Sequence, residues 1–301
     1  MIRPSYLKEG DQIGLVSPAS KINIGEIKVA VRMLQNWGLE PVFGSHLFTQ
    51  ENQFAGSDEQ RASDMQGFLN NPEIKAIIST RGGYGSVRII DRLNFDLFNR
   101  FPKWLIGYSD FTVFHSHLNA RLKTESIHGT MPLNFPKDEK ANSSTESLRN
   151  ALFGNLDAHT FRPTKVIRAG RAKGELIGGN LSILYSLMGS ISEMDFDGKI
   201  LFIEDLGEYL YHIDRMMMNL KRTGKLKNLA ALIVGGMNDM RDNKVSFGKT
   251  AEKIILEHIE EYIYPVVFGF PAGHIADNRA LIFGREVSLM ANAEESILSF
   301  V

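Results

Sequence analysis

Short apolar runs alternate with helix-length amphipathic stretches through the first half of this chain, and no other feature restricts its fold as much. Gln12-Ile13-Gly14-Leu15-Val16-Ser17-Pro18 reads as a buried strand ending in a polar turn. Ile24 to Trp37 has helical periodicity through Ile27, Val31 and Leu34, with Gly38 as its stop. Glu40 to Gly44 is a short strand. Ser57 and Gln60 form a capping-box pair opening a helix to Asn70, with Pro72 just beyond. Ile74 to Thr80 is a third strand, followed by Arg81-Gly82-Gly83-Tyr84-Gly85 and a helix to about Leu93. Trp104 to Gly107 is a fourth, with a helix-like stretch from Phe111 to Leu122 and then Ser126-Ile127-His128. Such alternation predicts an α/β fold, a doubly wound and mostly parallel sheet with helices on both faces. Ligands bind such sheets at the carboxyl ends of the strands, where Arg81-Gly82-Gly83 and Ser109 both fall.

The pattern loosens between about Pro136 and Ala172, and the second half mixes short strands with helices in the manner of a smaller α+β domain. Strands are expected at Lys199 to Ile203, Ala230 to Val234, Val266 to Phe270, Ala280 to Phe283 and Glu286 to Met290. Helices are expected at Asn180 to Leu187, Tyr209 to Lys221 and Thr250 to Tyr262. This divides the chain into an N-terminal α/β domain over residues 1–155, a linker over 156–172 and a C-terminal domain over 173–301.

Ser109 follows the apolar run Trp104-Leu105-Ile106-Gly107-Tyr108 at a strand-to-helix turn. A serine so placed is held on a tight bend with its hydroxyl exposed, and the following helix aims its first N–H groups at the same point. Two residues of the second half occupy similar strand ends: Glu204 after Ile200-Leu201-Phe202-Ile203, and His274 after Gly269-Phe270-Pro271-Ala272-Gly273. The order serine, carboxylate, histidine has a chemical reason. A serine hydroxyl is a poor nucleophile until a histidine takes its proton, and a carboxylate on the far ring nitrogen fixes the tautomer. Phe111 stands where Gly-x-Ser-x-Gly would have its second glycine, so the turn is not an ordinary α/β-hydrolase elbow.

Composition closes off other classes of function. The chain has 301 residues, 43% hydrophobic and 23% charged, with a formal net charge of −1, which gives no electrostatic reason to expect nucleic acid or an anionic membrane. There is no cysteine, hence no disulfide, thiolate nucleophile or cysteine-ligated zinc. No stretch approaches the roughly 20 apolar residues of a transmembrane helix, and the N-terminus lacks a signal-peptide run, so a cytoplasmic protein is expected. Arg81-Gly82-Gly83-Tyr84-Gly85 lacks the lysine of a P-loop and the spacing of a dinucleotide fingerprint. His115 and His117 are two residues apart, a spacing that puts them on different helix faces rather than on one metal. His212 to Met218 reads as a helix with methionines filling a core. No metal and no organic cofactor is expected.

Val16-Ser17-Pro18-Ala19, Thr80-Arg81-Gly82-Gly83-Tyr84-Gly85, Gly107-Tyr108-Ser109-Asp110, His128-Gly129, Gly178-Gly179-Asn180-Leu181, Phe202-Ile203-Glu204-Asp205 and Gly269-Phe270-Pro271-Ala272-Gly273-His274 follow one another along nearly the whole chain. In that combination the sequence resembles the LD-carboxypeptidase family of serine peptidases, which also contains the microcin C immunity peptidases. Thr130 departs from the proline more usual after His-Gly. The resemblance implies that Ser109 is the nucleophile, Glu204 the orienting carboxylate and His274 the general base, meeting at a domain interface. It suggests an oxyanion hole of the Asp110 and Gly83 N–H groups, substrate contacts from Arg81, Gly82, Tyr84 and Asn180, and a homodimer. The implied activity is release of terminal D-alanine from a cytoplasmic murein tetrapeptide in peptidoglycan recycling. A microcin-immunity-type peptidase acting on aminoacyl-adenylate analogues is the first alternative. It would ask for an aromatic platform, and the only tryptophans, Trp37 and Trp104, read as core. A non-catalytic peptide-binding protein is the second.

Overall fold

A computed structural model describes residues 1–301. Its strands are β1 (Gln12–Val16), β2 (Glu40–Phe43), β3 (Ile74–Ser79), β4 (Trp104–Gly107), β5 (Ser126–His128), β6 (Ala158–Phe161), β7 (Lys165–Arg168), β8 (Gly170–Asn180), β9 (Ile200–Leu206), β10 (Ala231–Asn238), β11 (Val266–Phe268), β12 (Leu281–Phe283), β13 (Glu286–Ala291) and β14 (Ser296–Phe300). Its α-helices are α1 (Ile24–Asn36), α2 (Asp58–Asn70), α3 (Ser86–Ile89), α4 (Asp96–Arg100), α5 (Thr112–His117), α6 (Ser143–Phe153), α7 (Leu181–Ser186), α8 (Leu210–Arg222) and α9 (Ala251–Ile259). The chain is a two-domain α/β protein with one sheet to each half. The first has the order β12-β5-β4-β3-β1-β2 and the second β6-β14-β13-β8-β9-β10-β11-β7.

The first sheet is parallel through β1 to β5, and alternate residues of its strands feed two separate cores. Ala76, Ile78, Trp104 and Ile106 pack with α1 and α6 on one face, and Ile77 and Leu105 pack with Phe68, Phe98, Phe111 and Phe114 on the other. Burial on both faces is why these strands read as unbroken apolar runs. Ser57 caps α2 reciprocally with Gln60, as the spacing predicts. At its other end the buried Lys103 Nζ donates to the carbonyls of Phe68 (2.8 Å) and Asn71 (2.6 Å), and burial pushes this ammonium down to about 8. The helix-like stretch after Ser109 is one continuous coil of changing pitch. It opens with a 3-10 turn over Ser109–Phe111, continues as α5 and widens to a π-turn over Leu118–Leu122.

In the second sheet β8 to β11 run parallel, while β13, β14, β6 and β7 are antiparallel to their neighbours. Helices α7, α8 and α9 cover one face over Ile177, Leu201, Ile203, Leu232 and Val234, with Met216 and Met217 inside that core. Residues 156–172, expected to be a linker, instead carry β6 and β7 and the start of β8. The alternating exposure of β6 and the half-buried residues of β7 explain why hydrophobic pattern alone did not mark them. The final strand, β14, was likewise not expected.

The halves are woven together rather than merely abutted. After β11 the chain returns to the first sheet as β12, antiparallel to β5, and then leaves again for β13. Leu281 and Phe283 of β12 lie in one core with Leu176, Phe202, Ile233 and Phe270 of the second sheet. A buried ion pair fastens this crossing: Glu125, just before β5, accepts from Arg285 Nε (3.2 Å) and Nη2 (2.5 Å), with both side chains 5% exposed, and Tyr6 Oη takes a third guanidinium proton from Arg285 Nη1. Removing one member of a buried pair strands the other charge. Glu125→Ala is therefore expected to destabilise the protein by about 3–5 kcal/mol in urea unfolding, against under about 1 kcal/mol for an exposed pair such as Lys249–Glu257.

Candidate active site

The carboxyl ends of β4, β8 and β9 meet the loop after β11 at a cleft of about 480 Å³. The last residue of β4, Gly107, is followed by Tyr108 and then Ser109, whose φ of +63° puts it in the left-handed region. A non-glycine residue there is uncommon and strained, and here it is the serine of the turn. Gly82 explains how the neighbouring turn comes so close. A Cβ at Gly82 would lie 2.9 Å from both Cβ and Oγ of Ser109, so only glycine fits.

Asp110 ties the glycine-rich turn to the serine turn. Its buried carboxylate accepts from Ser86 N (2.8 Å) and Gly85 N (3.4 Å), and burial raises its pKa against those bonds. Behind it Arg61 Nη1 donates to the carbonyls of Pro18 (2.6 Å) and Gly85 (3.1 Å). Three segments distant in sequence are thereby fixed to one another. The N–H groups of Asp110 and Gly83 have no acceptor within the protein, and both residues line the cleft beside Ser109.

From the second sheet, β8 and β9 run in parallel register with Asn180 opposite Glu204. Glu204 is fully buried, and its Oε2 accepts both the ring Nδ1–H (2.6 Å) and the backbone N–H (3.2 Å) of His274. A carboxylate on Nδ1 leaves Nε2 as the acceptor, and that nitrogen lies 3.0 Å from Ser109 Oγ. The three side chains singled out in sequence thus form one continuous relay across two sheets. Burial disfavours the imidazolium, but the hydrogen bond that His274 donates to Glu204 and the charges of Glu204 and Asp205 outweigh it, so the pKa of His274 is raised. Tyr108 packs its ring edge-on against His274, centroids 5.0 Å apart.

The remaining expected contact residues separate into two groups. Arg81 and Gly82 line the cleft. Arg81 Nη1 donates to Lys21 O (3.0 Å), while its Nε has no partner. Asn180 also lines the cleft, but its side chain is committed elsewhere. Its Oδ1 caps α7 at Ile183 N (3.2 Å) and its Nδ2 donates to Asp205 (2.9 Å). Tyr84 is not brought to the cleft; it is half exposed, with its ring 6.2 Å from that of Phe54. Sequence reasoning passed over Asp205, Glu208 and Asn134. Asp205 stood in a quoted motif. Burial first, then the neighbouring charge of Glu204, raises it to about 7, while Ser182 N (2.9 Å) and Leu206 N (2.9 Å) hold its carboxylate. Asn134, which accepts from Tyr108 Oη at 3.2 Å, gave no signal in sequence.

The sequence pattern of the LD-carboxypeptidase N-terminal domain matches residues 13–129, and that of the C-terminal domain residues 173–289. The chain belongs to the LD-carboxypeptidase family. This family member is 30% identical to a probable murein peptide carboxypeptidase of Bacillus subtilis, over 98% of this chain and 94% of the relative. The solved structure of a muramoyltetrapeptide carboxypeptidase from Oxalobacter formigenes superposes with a TM-score of 0.83 at 26% identity, covering 96% of this chain and 98% of that one. The microcin C7 self-immunity protein in complex with aspartyl sulfamoyl adenosine shares the fold, with a TM-score of 0.87 at 22% identity over 99% and 98% of the two chains. No helix of this LD-carboxypeptidase relative is long and apolar enough to cross a membrane.

The charge on Glu204 should be visible in the titration of His274. By histidine-selective NMR, His274 is expected to titrate above the ordinary value of 6.5. In Glu204→Gln the larger attraction is lost and only the weaker pull of Asp205 still opposes burial, so the midpoint should drop. An unchanged midpoint would show that the carboxylate does not govern the imidazole.

Proposed function

We propose that this chain is a serine carboxypeptidase that releases terminal D-alanine from a murein tetrapeptide by hydrolysing an amide bond between an L-centred and a D-centred residue. The carrying observation is the unbroken relay Ser109–His274–Glu204, with distances of 3.0 and 2.6 Å, opening onto a cleft in a chain of this family. Family membership and the names of its relatives support the substrate class.

In this reading His274 Nε2 takes the hydroxyl proton of Ser109 as Oγ attacks the scissile carbonyl. The oxyanion lies against the unengaged N–H groups of Asp110 and Gly83. His274 then gives its proton to the departing amine of D-alanine. A water molecule, deprotonated by the same imidazole, resolves the acyl-enzyme. Glu204 holds the ring and stabilises the imidazolium that forms at each transfer. The reaction as drawn requires no metal or organic cofactor. A carboxypeptidase must also recognise a free carboxylate, and Arg81 is the arginine lining the cleft. The substrate is a small peptide, encountered in the cytoplasm during cell-wall recycling, and the working form is a homodimer without nucleic-acid or membrane partners.

The microcin-type alternative has the likeness in fold behind it, but no more than the main reading has. Trp104 is fully buried, and Trp37 packs on the core of the first domain with Phe135, so neither tryptophan offers the cleft a platform. The reading as a binding protein without turnover is separated from the proposal by the serine itself.

Ser109→Ala should lower kcat/KM for D-alanine release from murein tetrapeptide by at least roughly 10⁴-fold with an unchanged thermal midpoint. Near-normal release would refute the proposal, as would a wild-type protein that binds tetrapeptide without cleaving it or cleaves only a peptidyl sulfamoyl adenosine. Arg81→Met should raise KM about tenfold or more with little change in kcat, since a charge-assisted hydrogen bond contributes about 1.5–3 kcal/mol. Because the pKa of His274 is raised, the imidazolium persists to higher pH than usual. The acid limb of kcat/KM should therefore fall away at a pH above 6.5, activity being lost as pH drops through that value.

A further inference from the structure

Thr112 opens α5 three residues after Ser109 and is fully buried. Its backbone N–H turns back to the carbonyl of Ser109, which ties it to the serine turn. Its side chain reaches the other sheet: Oγ1 accepts the backbone N–H of Asn180 at 3.0 Å. Strand β13 accompanies β8 only from Gly170 to Glu175, so the last residues of β8 have a strand on one side alone, where β9 runs. The Thr112 hydroxyl takes up an amide left over by the ladder. Valine would fill the same volume and strand that buried donor.

The two chains meet as closely as their atoms allow. Gly179 has φ +136°, and a Cβ on it would lie 2.6 Å from both Oγ1 and Cγ2 of Thr112. Asn180 stands opposite Glu204 in the β8–β9 register, and its Nδ2 donates at 2.9 Å to Asp205, the residue after Glu204. A closed circuit results. It runs from Ser109 through the 3-10 turn to Thr112, across to Asn180, over to Glu204 on β9, and back through His274 to Ser109 Oγ. Two of its links are hydrogen bonds that cross between the sheets. The front link, Ser109 to His274, is the one along which the hydroxyl proton moves. The rear link, Thr112 to Asn180, exchanges no proton in the reaction, and it sets how far β9 and its carboxylate stand from the serine turn.

We propose that Thr112 is a positioning residue: by holding the N–H of Asn180 it fixes the spacing between the serine turn and β9, and with it the reach of His274 to Ser109. The inference rests on reading Ser109 and His274 as nucleophile and base.

Thr112→Val, Thr112→Ala and Thr112→Ser would be compared with wild type at a temperature well below every thermal midpoint. The measurements are tetrapeptide kcat and KM, the midpoint itself, and the second-order rate at which a fluorophosphonate inactivates Ser109, which reports the nucleophile and its base without peptide recognition. Valine keeps the volume and removes the acceptor, whereas serine keeps the acceptor and removes a methyl group packed at Gly179. Both variants should melt earlier than wild type, so a merely structural threonine would make them alike in activity too. Thr112→Val should instead lose about tenfold or more in kcat and in inactivation rate, with KM within about twofold, as small misplacements of reacting groups do. Thr112→Ser should keep both rates within about threefold of wild type, because its hydroxyl still accepts. Wild-type kcat in Thr112→Val, or a loss in Thr112→Ser as large as in Thr112→Val, would overturn the proposal. Should Thr112→Val not fold, Thr112→Ala, which also lacks the acceptor, is read in its place. Should neither fold, a loss of about tenfold in Thr112→Ser would overturn the proposal equally, since the acceptor is still there. If Ser109→Ala is inert while Thr112→Val is fully active, the positioning role alone fails. If Ser109→Ala turns over tetrapeptide, the underlying reading fails.

Discussion

One hydrogen bond joins the two halves of this protein at the point that matters chemically. Ser109 belongs to a turn of the first sheet and His274 to a loop of the second, yet Oγ and Nε2 lie 3.0 Å apart. A contact of that length tolerates shifts of only a few tenths of an ångström before it weakens. The rest of the architecture can be understood as holding that distance. The first sheet fixes the serine by a strained backbone, a glycine that lets the neighbouring turn approach, and an aspartate that binds that turn. The second sheet fixes the histidine by a carboxylate that takes both its ring and its backbone protons.

Electrostatics and burial act on these groups in opposite directions, and the balance assigns their states. His274 is partly buried but paired with Glu204, and the pairing wins, so its pKa rises. His115 is more deeply buried and faces a carbonyl and a serine hydroxyl, so burial wins, bringing it down to about 4. Its Nε2–H holds the carbonyl of Gly107, two residues before Ser109, so a neutral imidazole supports the strand end from behind. The same residue type thus has its imidazolium favoured in one place and is a fixed, neutral hydrogen-bonding group in the other, according to its partner and burial.

Much of this was legible in sequence, for identifiable reasons. The parallel sheet showed because strands buried on both faces leave uninterrupted apolar runs, as in Ile74 to Ser79. Ser109, Glu204 and His274 showed because each closes such a run with a polar residue. What escaped depends on contacts distant along the chain. Strands β6 and β7 are edge strands with half-exposed residues and carry little hydrophobic signal. The role of Asn180 as a cap and as a partner of Asp205 was hidden because its motif named the residue and not its neighbours. Tyr84 shared a glycine-rich motif with Gly82 and Gly83, but a single turn of backbone points neighbouring residues in different directions.

The route of the chain through β12 has a consequence for how such a protein can be taken apart. The third-last strand of the sequence fills the outer lane of the first sheet, beside β5, and donates Leu281 and Phe283 to the other core. An amino-terminal fragment made alone would expose β5 as a bare edge, open to pairing with other molecules. A carboxy-terminal fragment would leave β12 without the strand it pairs with and Ile282 without the first-sheet core that it enters. Gene fission between the halves would therefore yield sticky pieces rather than autonomous modules, and the two must be inherited, translated and folded as one unit.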